Sequence, residues 1–458
     1  MIEKEKITIG EMAFSFFREH GHIEVKGVEK QILYSWRGDF YRWENGVYLK
    51  IERDEVEARL VFHLNGLNQV VTTNLLTNVK LNLRAQTLLN HDRVPNTWIT
   101  EKDRQDYMSP DGSVVTESGI LLFKKDGSFD IKPNTPDFFV LGKLPYEYRA
   151  DAKCLRWMRF LNEVTGGNKE LQRMLQQWAG YLLVPTQEYQ SFMLLLGEAA
   201  TGKGTFTRAL MAMLGRENCS SVPLRRFTNN FSLYLTYGKK LNVAGDAEEE
   251  LNPQAEAVIK TWTGEDGLDF ERKYADGFSA QATAKLMILA NTFPTFTDKS
   301  MGTWRRLKVV PFDREDREYM ESDLDEQLEA ELPGILNWAI LGLQDLKANR
   351  GFVQAEVSKN LWEAQKEGSN PAAMFLKENY YWEPGSFFGV KTKDVYSTYR
   401  KWCAANGYSP MSNRTFGREV FRYYSKIVKR RLGAKSRYHI YSGLKLRNNA
   451  EVLDLLQK

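Results

Sequence analysis

The sequence predicts an α/β protein whose core is a mainly parallel sheet flanked by helices. Two observations indicate this fold. In residues 191–312 short apolar runs alternate with helical patterns and loops, as in parallel sheets. A glycine-rich loop follows the first of these runs, and an amphipathic helix follows the loop. Residues 1–150 instead show mixed α+β patterns, and residues 371–458 are rich in basic side chains.

Composition limits the class of protein. The chain has 458 residues, 42% of them hydrophobic and 27% charged, which is enough for about two to four folded domains. The apolar run Phe192–Leu196 is far shorter than the roughly 20 residues that cross a bilayer, so we expect no membrane segment. Residues 1–6 alternate charges, unlike a secretory signal. The cysteines do not form a disulfide framework and fit a reducing, cytoplasmic location, in a bacterium or infected cell: Cys154, Cys219 and Cys403. The five histidines show no metal-ligand spacing.

Charge is distributed unevenly. Residues 391–448 hold fifteen Lys and Arg and two acids, a net charge of +13, which leaves −9 for the rest of a chain whose total is +4. This asymmetry is typical of proteins that bind a polyanion, most often nucleic acid. The alternative is a solvated basic face.

Residues 1–150 predict a small α+β domain, for which we expect a role in assembly or partner docking. One helical face is predicted from Met12, Ala13, Phe14, Phe16 and Phe17. A β-hairpin is predicted around Asn45-Gly46, a pair that suits a tight turn.

Helical periodicity dominates two further segments. Residues 151–190 predict a helical collar from apolar residues spaced three and four apart: Leu155, Met158, Leu161, Leu171, Leu175 and Trp178. Residues 316–370 predict a helix in two pieces followed by a linker, with Pro333 ending the first piece and opening the second.

Residues 197–205 fit the phosphate-binding pattern G-x-x-x-x-G-K, between a buried strand and an amphipathic helix. Backbone amides of such a loop converge on phosphate oxygens, and Lys203 would neutralise them. Because Gly204 stands where Ser or Thr is usual, Thr205 would supply the Mg²⁺-side hydroxyl. The predicted nucleotide-binding residues, for ATP with Mg²⁺, are Gly197, Ala199, Ala200, Thr201, Gly202, Lys203, Gly204 and Thr205. The alternative is a chance glycine-rich turn.

Polar residues follow two later predicted strands. Asp246 is the candidate for holding Mg²⁺ through water, and Glu248 or Glu249 for polarising the attacking water. Asn291 ends the strand 285–290 and would orient that water. A solvated acidic loop and a turn asparagine are the alternatives.

Two basic features complete the predicted core. Arg305 and Arg306 precede an apolar run, and arginine suits the γ-phosphate of a neighbouring subunit's nucleotide. Residues 264–278 predict two strands around an Asp-Gly turn, with Lys273 and Tyr274 near the tip to hold a single-stranded backbone. Surface salt bridges and an ordinary hairpin are the alternatives.

The basic carboxyl-terminal domain, residues 371–458, predicts a DNA-binding wing. Ser412 can cap a helix over 413–424 whose Arg414, Arg418 and Arg422 recur every four residues, a stripe suited to duplex DNA. Residues 429–441, beginning with Lys429 and Arg430, would form the wing.

Taken in order, these elements resemble a superfamily 3 helicase of the poxvirus and phage–plasmid primase–helicase type. The resemblance runs over residues 151–312 and extends to the basic domain, which is similar to that family's terminal winged helix. It implies an AAA+-like P-loop core, a ring that is usually a hexamer, ATP hydrolysis between subunits, and 3′-to-5′ translocation on single-stranded DNA.

The resemblance also implies residue roles. Lys203 binds phosphate, Asp246 belongs to the metal-binding acid motif, and Asn291 is the sensor. Lys273 lies on the central-channel hairpin, and Arg306, or next Arg305, is the trans-acting finger. Gly204 and the separated acids of Asp246-Ala-Glu248 depart from the family pattern.

Three functions are compatible with these features. We favour a DNA helicase that unwinds the duplex during replication of a phage, plasmid or genomic island. No primase module is predicted, so a separate primase or initiator is a candidate partner. One alternative is an ATP-switched origin-binding or helicase-loading protein. The other is a nucleotide kinase, although such kinases carry the glycine-rich loop near the start of the chain.

Overall fold

The computed structural model describes residues 7–90, 95–99, 112–124, 127–245, 252–272, 275–296, 301–313, 323–368, 370–431 and 438–447. The chain divides into two compact units, Met1–Ser358 and Lys359–Lys458, and each is described by itself. Among the described residues no helix is long and apolar enough to cross a bilayer.

The amino-terminal part of the first unit packs helices against small antiparallel sheets. The helices are α1 Ile9–His20, α2 Arg53–Gly66 and α3 Thr73–Gln86. The strands are β1 His22–Val25, β2 Val28–Gln31, β3 Leu33–Trp36, β4 Asp39–Glu44, β5 Val47–Ile51, β6 Thr97–Trp98, β7 Ser113–Thr116, β8 Gly119–Phe123, β9 Phe129–Lys132 and β10 Phe138–Phe139. They pair as β1–β2, β3–β4–β5, β6–β10 and β7–β8–β9.

Two predictions for this part can be compared with the structure. The hairpin β4–β5 turns at Asn45 and Gly46, whose φ angles of 48° and 93° suit this residue pair, so the predicted turn is confirmed. The predicted face of α1 is buried except for Phe14, which is 52% exposed because it points away from the core.

Helices α4 Leu155–Val164 and α5 Lys169–Tyr181 lead into the central sheet, confirming the predicted helical character. The buried face of α4 differs from the prediction. Leu155 is 72% exposed and Met158 is 40% exposed, whereas the buried residues are Trp157, Phe160, Leu161 and Val164. The apolar residues of this helix occupy two faces, and the aromatic face packs into the core.

The central sheet has five parallel strands, which confirms the predicted α/β character. In chain order the elements are β11 Phe192–Leu196, α6 Lys203–Leu214, β12 Cys219–Ser220, α7 Asn230–Leu233, β13 Leu241–Ala244, α8 Pro253–Thr263, β14 Gly267–Arg272, β15 Ala275–Gln281, β16 Lys285–Ala290, α9 Met301–Arg306 and β17 Leu307–Pro311. The strand order is β12-β13-β16-β11-β17, so β11 lies between β16 and β17.

Three helices complete the first unit and lead out of it: α10 Leu324–Ala330, α11 Leu332–Ala348 and α12 Glu356–Gly368. Pro333 lies in the first turn of α11, as predicted. Helices α5 and α11 cross at two glycines, because a Cβ on Gly180 would lie 2.2 Å from the Leu343 nitrogen and one on Gly342 would lie 1.9 Å from the Gln176 oxygen. Only glycine permits so close an approach.

The second unit combines three helices with antiparallel strands: α13 Pro371–Asn379, β18 Tyr380–Trp382, β19 Gly389–Lys391, α14 Thr392–Ala405, α15 Asn413–Tyr423, β20 Val428–Arg431, β21 His439–Ser442 and β22 Leu444–Leu446. The Ser412 side chain accepts from the Thr415 amide and caps α15, as predicted. Strand β21 pairs with β19 on one side and β20 on the other, and β18 pairs with β22.

Candidate functional site

The glycine-rich loop connects β11 to α6 at the carboxyl edge of the parallel sheet, where ligands of open α/β sheets bind. The Gly197 amide donates to the Ala290 carbonyl at 3.2 Å. A Cβ on Gly197 would lie 2.2 Å from the Phe312 oxygen, so the loop starts in a narrow space beside the end of β17. Gly202 has φ 96°, a conformation that favours glycine, directly before the first helical residue.

Lys203 begins α6 and is only 8% exposed. Its Nζ donates to the carbonyl of Gly197, to that of Glu198 at 2.7 Å, and to Asn291 Oδ1 at 3.3 Å. The loop therefore curls around the ammonium group at the positive end of a helix. Such a group can transfer its hydrogen bonds to an anion that enters the loop.

The hydroxyl groups of α6 differ in their contacts. Thr207 is buried and donates to the Lys203 carbonyl at 2.8 Å. Thr205 lies nearer the surface, and its hydroxyl accepts from Arg208 Nη2 at 3.2 Å. Arg208 is in turn held by both oxygens of Asp325, at 2.7 and 3.1 Å. Of the two threonines, Thr205 therefore has the hydroxyl nearer to solvent, and its role as a cation ligand stays a prediction.

The strand β13 delivers the chain to the same edge of the sheet. It pairs in parallel with β16, Ala244 opposite Ile288, and ends one residue before the described chain stops at Gly245. Asp246, Glu248 and Glu249 lie outside the described residues. Asn291 directly follows β16, which lies between β13 and β11. The structure thus brings Asn291 and Lys203 together.

The predicted hairpin is present as β14 and β15, but its turn is not where the sequence placed it. Asp276 and Gly277 lie within β15, and Arg272 pairs with Ala275, so the chain reverses between those two residues. Strand pairing has overridden the turn preference of Asp-Gly. Lys273 and Tyr274 themselves lie outside the described residues.

Aromatic residues pack against the middle of this hairpin. Phe270 and Phe278 face each other across the two strands, and Tyr237 packs against both, with ring centroids 5.3 and 5.0 Å away. The Arg37 guanidinium, from the turn between β3 and β4, lies 4.4 Å from the Phe278 ring centroid and 5.1 Å from that of Tyr237. This aromatic cage, Tyr237 and Phe278 around Arg37, attaches the amino-terminal part to the hairpin; nothing in the sequence pattern pointed to it.

Arg305 and Arg306 end α9 directly before β17. Because Leu307 pairs with Phe192 and Pro311 with Leu196, they lie at the amino edge of the sheet, about 13 Å of strand from the loop of the same chain. Arg305 Nη2 donates to Gln190 Oε1 at 3.0 Å. The two arginines therefore do not reach the nucleotide loop of their own chain.

The surroundings of Arg306 leave its charge poorly compensated. Its Nη1 donates to the Gly302 carbonyl at 2.8 Å, while its Nε is buried without a hydrogen-bond partner among the described residues. Burial lowers the pKa of its guanidinium, Arg305 lowers it further, and Asp266 opposes both. Arginine stays protonated in proteins, so the guanidinium is held charged and partly desolvated, with Asp266 as the acid that acts on it among the described residues.

The second unit exposes most of the predicted basic residues. Arg414, Arg418 and Arg422 lie on the exposed side of α15, and Arg422 Nη1 donates to Glu419 Oε1 at 3.1 Å. Lys429 and Arg430 are exposed on β20, the edge strand that pairs with β21. A helix and an edge strand of one small domain thus carry its basic surface.

The first unit also contains a donor group that the histidine spacing did not predict. Glu19, His20 and His63 place their ligand atoms within 4.8 Å of one another. His63 is buried between α1 and α2, with Nε2 2.9 Å from the Ser15 hydroxyl and Nδ1 3.0 Å from the Glu19 carboxylate. Since both ring nitrogens are occupied, the group serves as a polar link between the two helices.

Comparison with family models matches two segments of the chain. Residues 195–306, which contain the loop, the hairpin and the arginine pair, match a family of unknown function, DUF5906. Residues 369–448 match the RFX DNA-binding domain. The second match covers most of the unit whose basic helix and edge strand are described above.

Individual proteins are similar over parts of the chain. A "Putative helicase L207/L206" of Acanthamoeba polyphaga mimivirus is 26% identical over 217 residues, 43% of this chain but only 22% of the viral protein. An "Uncharacterized mitochondrial protein ymf21" of Marchantia polymorpha is 25% identical over 138 residues, 26% of this chain and 76% of that protein.

Solved structures are similar over nearly the whole chain. The A form apo structure of the NrS-1 C terminal region aligns with a TM-score of 0.52 at 12% identity, covering 94% of this chain and 99% of that one. A second apo structure of the same region, residues 305–718, gives 0.52 at 11% identity and covers 96% and 100%. At this identity the likeness concerns the fold.

Proposed function

We propose that this chain is an ATP-dependent DNA helicase of the superfamily 3 type, with an AAA+ motor that works as a ring, and that it acts with a separate primase or initiator during replication of a mobile genetic element. The observation that carries the proposal is the Lys203–Asn291 contact. It joins the phosphate loop to the strand between β11 and β13, the place where a water-orienting amide is needed.

The proposed nucleotide site includes this contact and the residues around it. Lys203 and the amides at the start of α6 bind the triphosphate, and Asn291 orients the attacking water. Mg²⁺, held by Thr205 and Asp246, neutralises phosphate charge when bound. Glu248 or Glu249 polarises the water. The residue types on α6 fit this assignment, because Lys203 carries an ammonium group at the start of the helix and Thr205 carries a hydroxyl two residues later.

The arginine pair supports hydrolysis between subunits. Arg306 lies at the sheet edge opposite its own loop, and its Nε has no hydrogen-bond partner among the described residues, so the γ-phosphate of a neighbouring chain's nucleotide suits it, with Arg305 as its companion. This arrangement requires an oligomer, for which we propose a hexamer. Movement of the β14–β15 hairpin, with Lys273 and Tyr274 at its tip, then carries single-stranded DNA 3′ to 5′.

The second unit supports DNA as the partner. It matches a DNA-binding domain model, and its α15 arginines and β20 cations are exposed. The helicase-named viral relative agrees with an enzyme that acts on nucleic acid. We assign Arg414, Arg418, Arg422, Lys429 and Arg430 to duplex binding.

The decisive experiment is a polarity-resolved unwinding assay on forked and singly tailed duplexes, with Lys203→Ala as the motor-dead variant and Lys169→Ala as the matched surface control. We expect wild type and Lys169→Ala to unwind only with a 3′ tail, and Lys203→Ala to lose hydrolysis and unwinding together. Wild-type protein that hydrolyses ATP but separates no fork would refute the proposal.

The DNA-binding domain match also favours a second candidate, an ATP-switched origin-binding or helicase-loading protein. A complete replication system separates the two. If Lys203→Ala still supports unwinding by that system while hydrolysis by this chain is abolished, the chain is a switch and not the motor.

A further inference from the structure

The loop between β18 and β19 presents two adjacent phenylalanines to solvent. Phe387 is 73% exposed and Phe388 is 83% exposed, whereas Phe375 and Phe416 of the same unit are almost fully buried. Each exposed ring forgoes roughly 2 kcal/mol of burial, so two in succession mark a binding surface more often than an accident of folding.

The loop is held in place by its neighbours. The Gly443 amide donates to the Phe388 carbonyl at 2.7 Å, and the Ser442 hydroxyl donates to the Ser386 carbonyl at 2.9 Å. A Cβ on Gly389 would lie 1.9 Å from the Tyr441 oxygen, so the chain enters β19 in close contact with β21. The two rings therefore project from a backbone that is already ordered.

One of these two rings, and a third exposed ring nearby in the unit, each have a cation beside them. The Arg430 guanidinium lies 5.0 Å from the Phe387 ring centroid, and Lys391 Nζ lies 5.1 Å from that of Tyr438, which is 53% exposed. Arg430 and Lys391 are both paired with Ile440 of the central strand, so they lie on one face of the β19–β21–β20 sheet. Basic and aromatic side chains thus alternate on this face.

That combination is chemically specific. A duplex presents phosphates and stacked bases whose faces are covered, whereas an unpaired nucleotide presents a phosphate and an open base face. Lysine and arginine bind the first, and an exposed aromatic ring binds the second. A partner protein would have to cover the charges beside the rings, in a segment with a net charge of +13.

We propose that Phe387 and Phe388 form a stacking site for an unpaired DNA base, with Arg430 and Lys391 on the adjoining phosphates. The second unit would then recognise the junction between duplex and single strand, with the duplex on the α15 arginines. This inference rests on the proposed function, because it specifies which DNA the basic domain binds.

The test measures equilibrium binding of the full chain by fluorescence anisotropy to a blunt duplex and to the same duplex with a single-stranded tail. Phe387→Ala/Phe388→Ala is compared with wild type and with Phe62→Ala, which removes an equally exposed ring (84%) from α2. We expect the double variant to lose roughly 10- to 100-fold in affinity for the tailed DNA and less than twofold for the blunt duplex. Phe62→Ala should match wild type on both.

A 2-aminopurine at the first unpaired position gives a second readout. Wild type should quench its fluorescence by stacking, and the double variant should not. The stacking site would be refuted if the double variant lost equal affinity for both DNAs or lost affinity for neither. It would also be refuted if the double variant changed only its sedimentation coefficient and kept its DNA affinity. Intact tail preference without unwinding would instead refute the helicase proposal alone.

Discussion

The Asn291 amide oxygen lies 3.3 Å from the Lys203 Nζ, so the end of β16 and the start of α6 share one polar contact. If Lys203 binds phosphate, as proposed, a group that touches it is placed to sense whether phosphate has taken that lysine's hydrogen bonds. Four predictions follow from this and from other contacts in the first unit.

If the Asn291 amide orients water and does not anchor the nucleotide, as proposed, Asn291→Ala should lower kcat for ATP hydrolysis by roughly 100-fold with little change in KM. Asn291→Asp should also raise KM, since a carboxylate beside Lys203 competes with phosphate for the ammonium. Steady-state kinetics with DNA present measure both. Thr292→Ala, its exposed neighbour, is the control, and equal loss in that variant would contradict the assignment.

Mixing two inactive variants should restore hydrolysis if Arg306 acts between subunits. Rings of Lys203→Ala and rings of Arg306→Ala are each expected to be inactive. In a random mixture, about a quarter of the interfaces combine an intact lysine with an intact arginine from the neighbour. ATPase activity of the mixture after subunit exchange is the measurement. Arg305→Ala in place of Arg306→Ala shows which arginine is the finger, and a mixture as inactive as its components rules out action in trans.

Lys308 should make stability depend on pH. Burial lowers its pKa to about 8, while the unfolded chain keeps a value of about 10.4. Between pH 8 and 10 the unfolded state thus binds more protons, so the lysine's unfavourable contribution fades as pH rises. The melting temperature of wild type should rise relative to Lys308→Met over this range. The melting temperature of Lys169→Met, a variant at an exposed site, should follow that of wild type at every pH. If the melting temperature of Lys308→Met also follows wild type over this range, the prediction is wrong.

Gly342→Ala should destabilise the first unit. Its methyl group would meet the Gln176 carbonyl where α5 and α11 cross, which costs about 2–3 kcal/mol or forces the helices apart. Gly66→Ala, at the end of α2 with open space around it, should change stability by less than about 1 kcal/mol. Thermal unfolding of the two variants side by side is the measurement; similar melting temperatures would show that the crossing can relax.

Turns and helix starts were predicted well from the sequence. The Asn45-Gly46 turn, the Ser412 cap and the Pro333 helix start each depend on one or two residues, and the structure has all three. The strand–loop–helix unit around Lys203 was equally clear, because its glycines and flanking periodicity agree.

Features that depend on contacts between distant parts of the chain were harder to predict from the sequence. The buried face of α4 and the turn of the β14–β15 hairpin depend on which neighbours pack or pair, and no local spacing encodes this. The order of the strands, which brings Asn291 beside Lys203, and the arrival of Arg37 at the hairpin also result from the assembled fold. The roles assigned to Asp246, Glu248, Lys273 and Tyr274 stay predictions.

The aromatic cage around Arg37 gives the amino-terminal part a mechanical place in the molecule. Phe278 pairs with Phe270, between the first strand pair, Gly267 with Gln281, and the last, Arg272 with Ala275, so Arg37 contacts the hairpin part-way along its length. Any displacement of the hairpin must therefore either slide the Phe278 ring past the guanidinium, at a cost of about 1–2 kcal/mol, or move the amino-terminal part with it. In either case the position of the hairpin is set jointly by two parts of the chain that lie far apart in sequence.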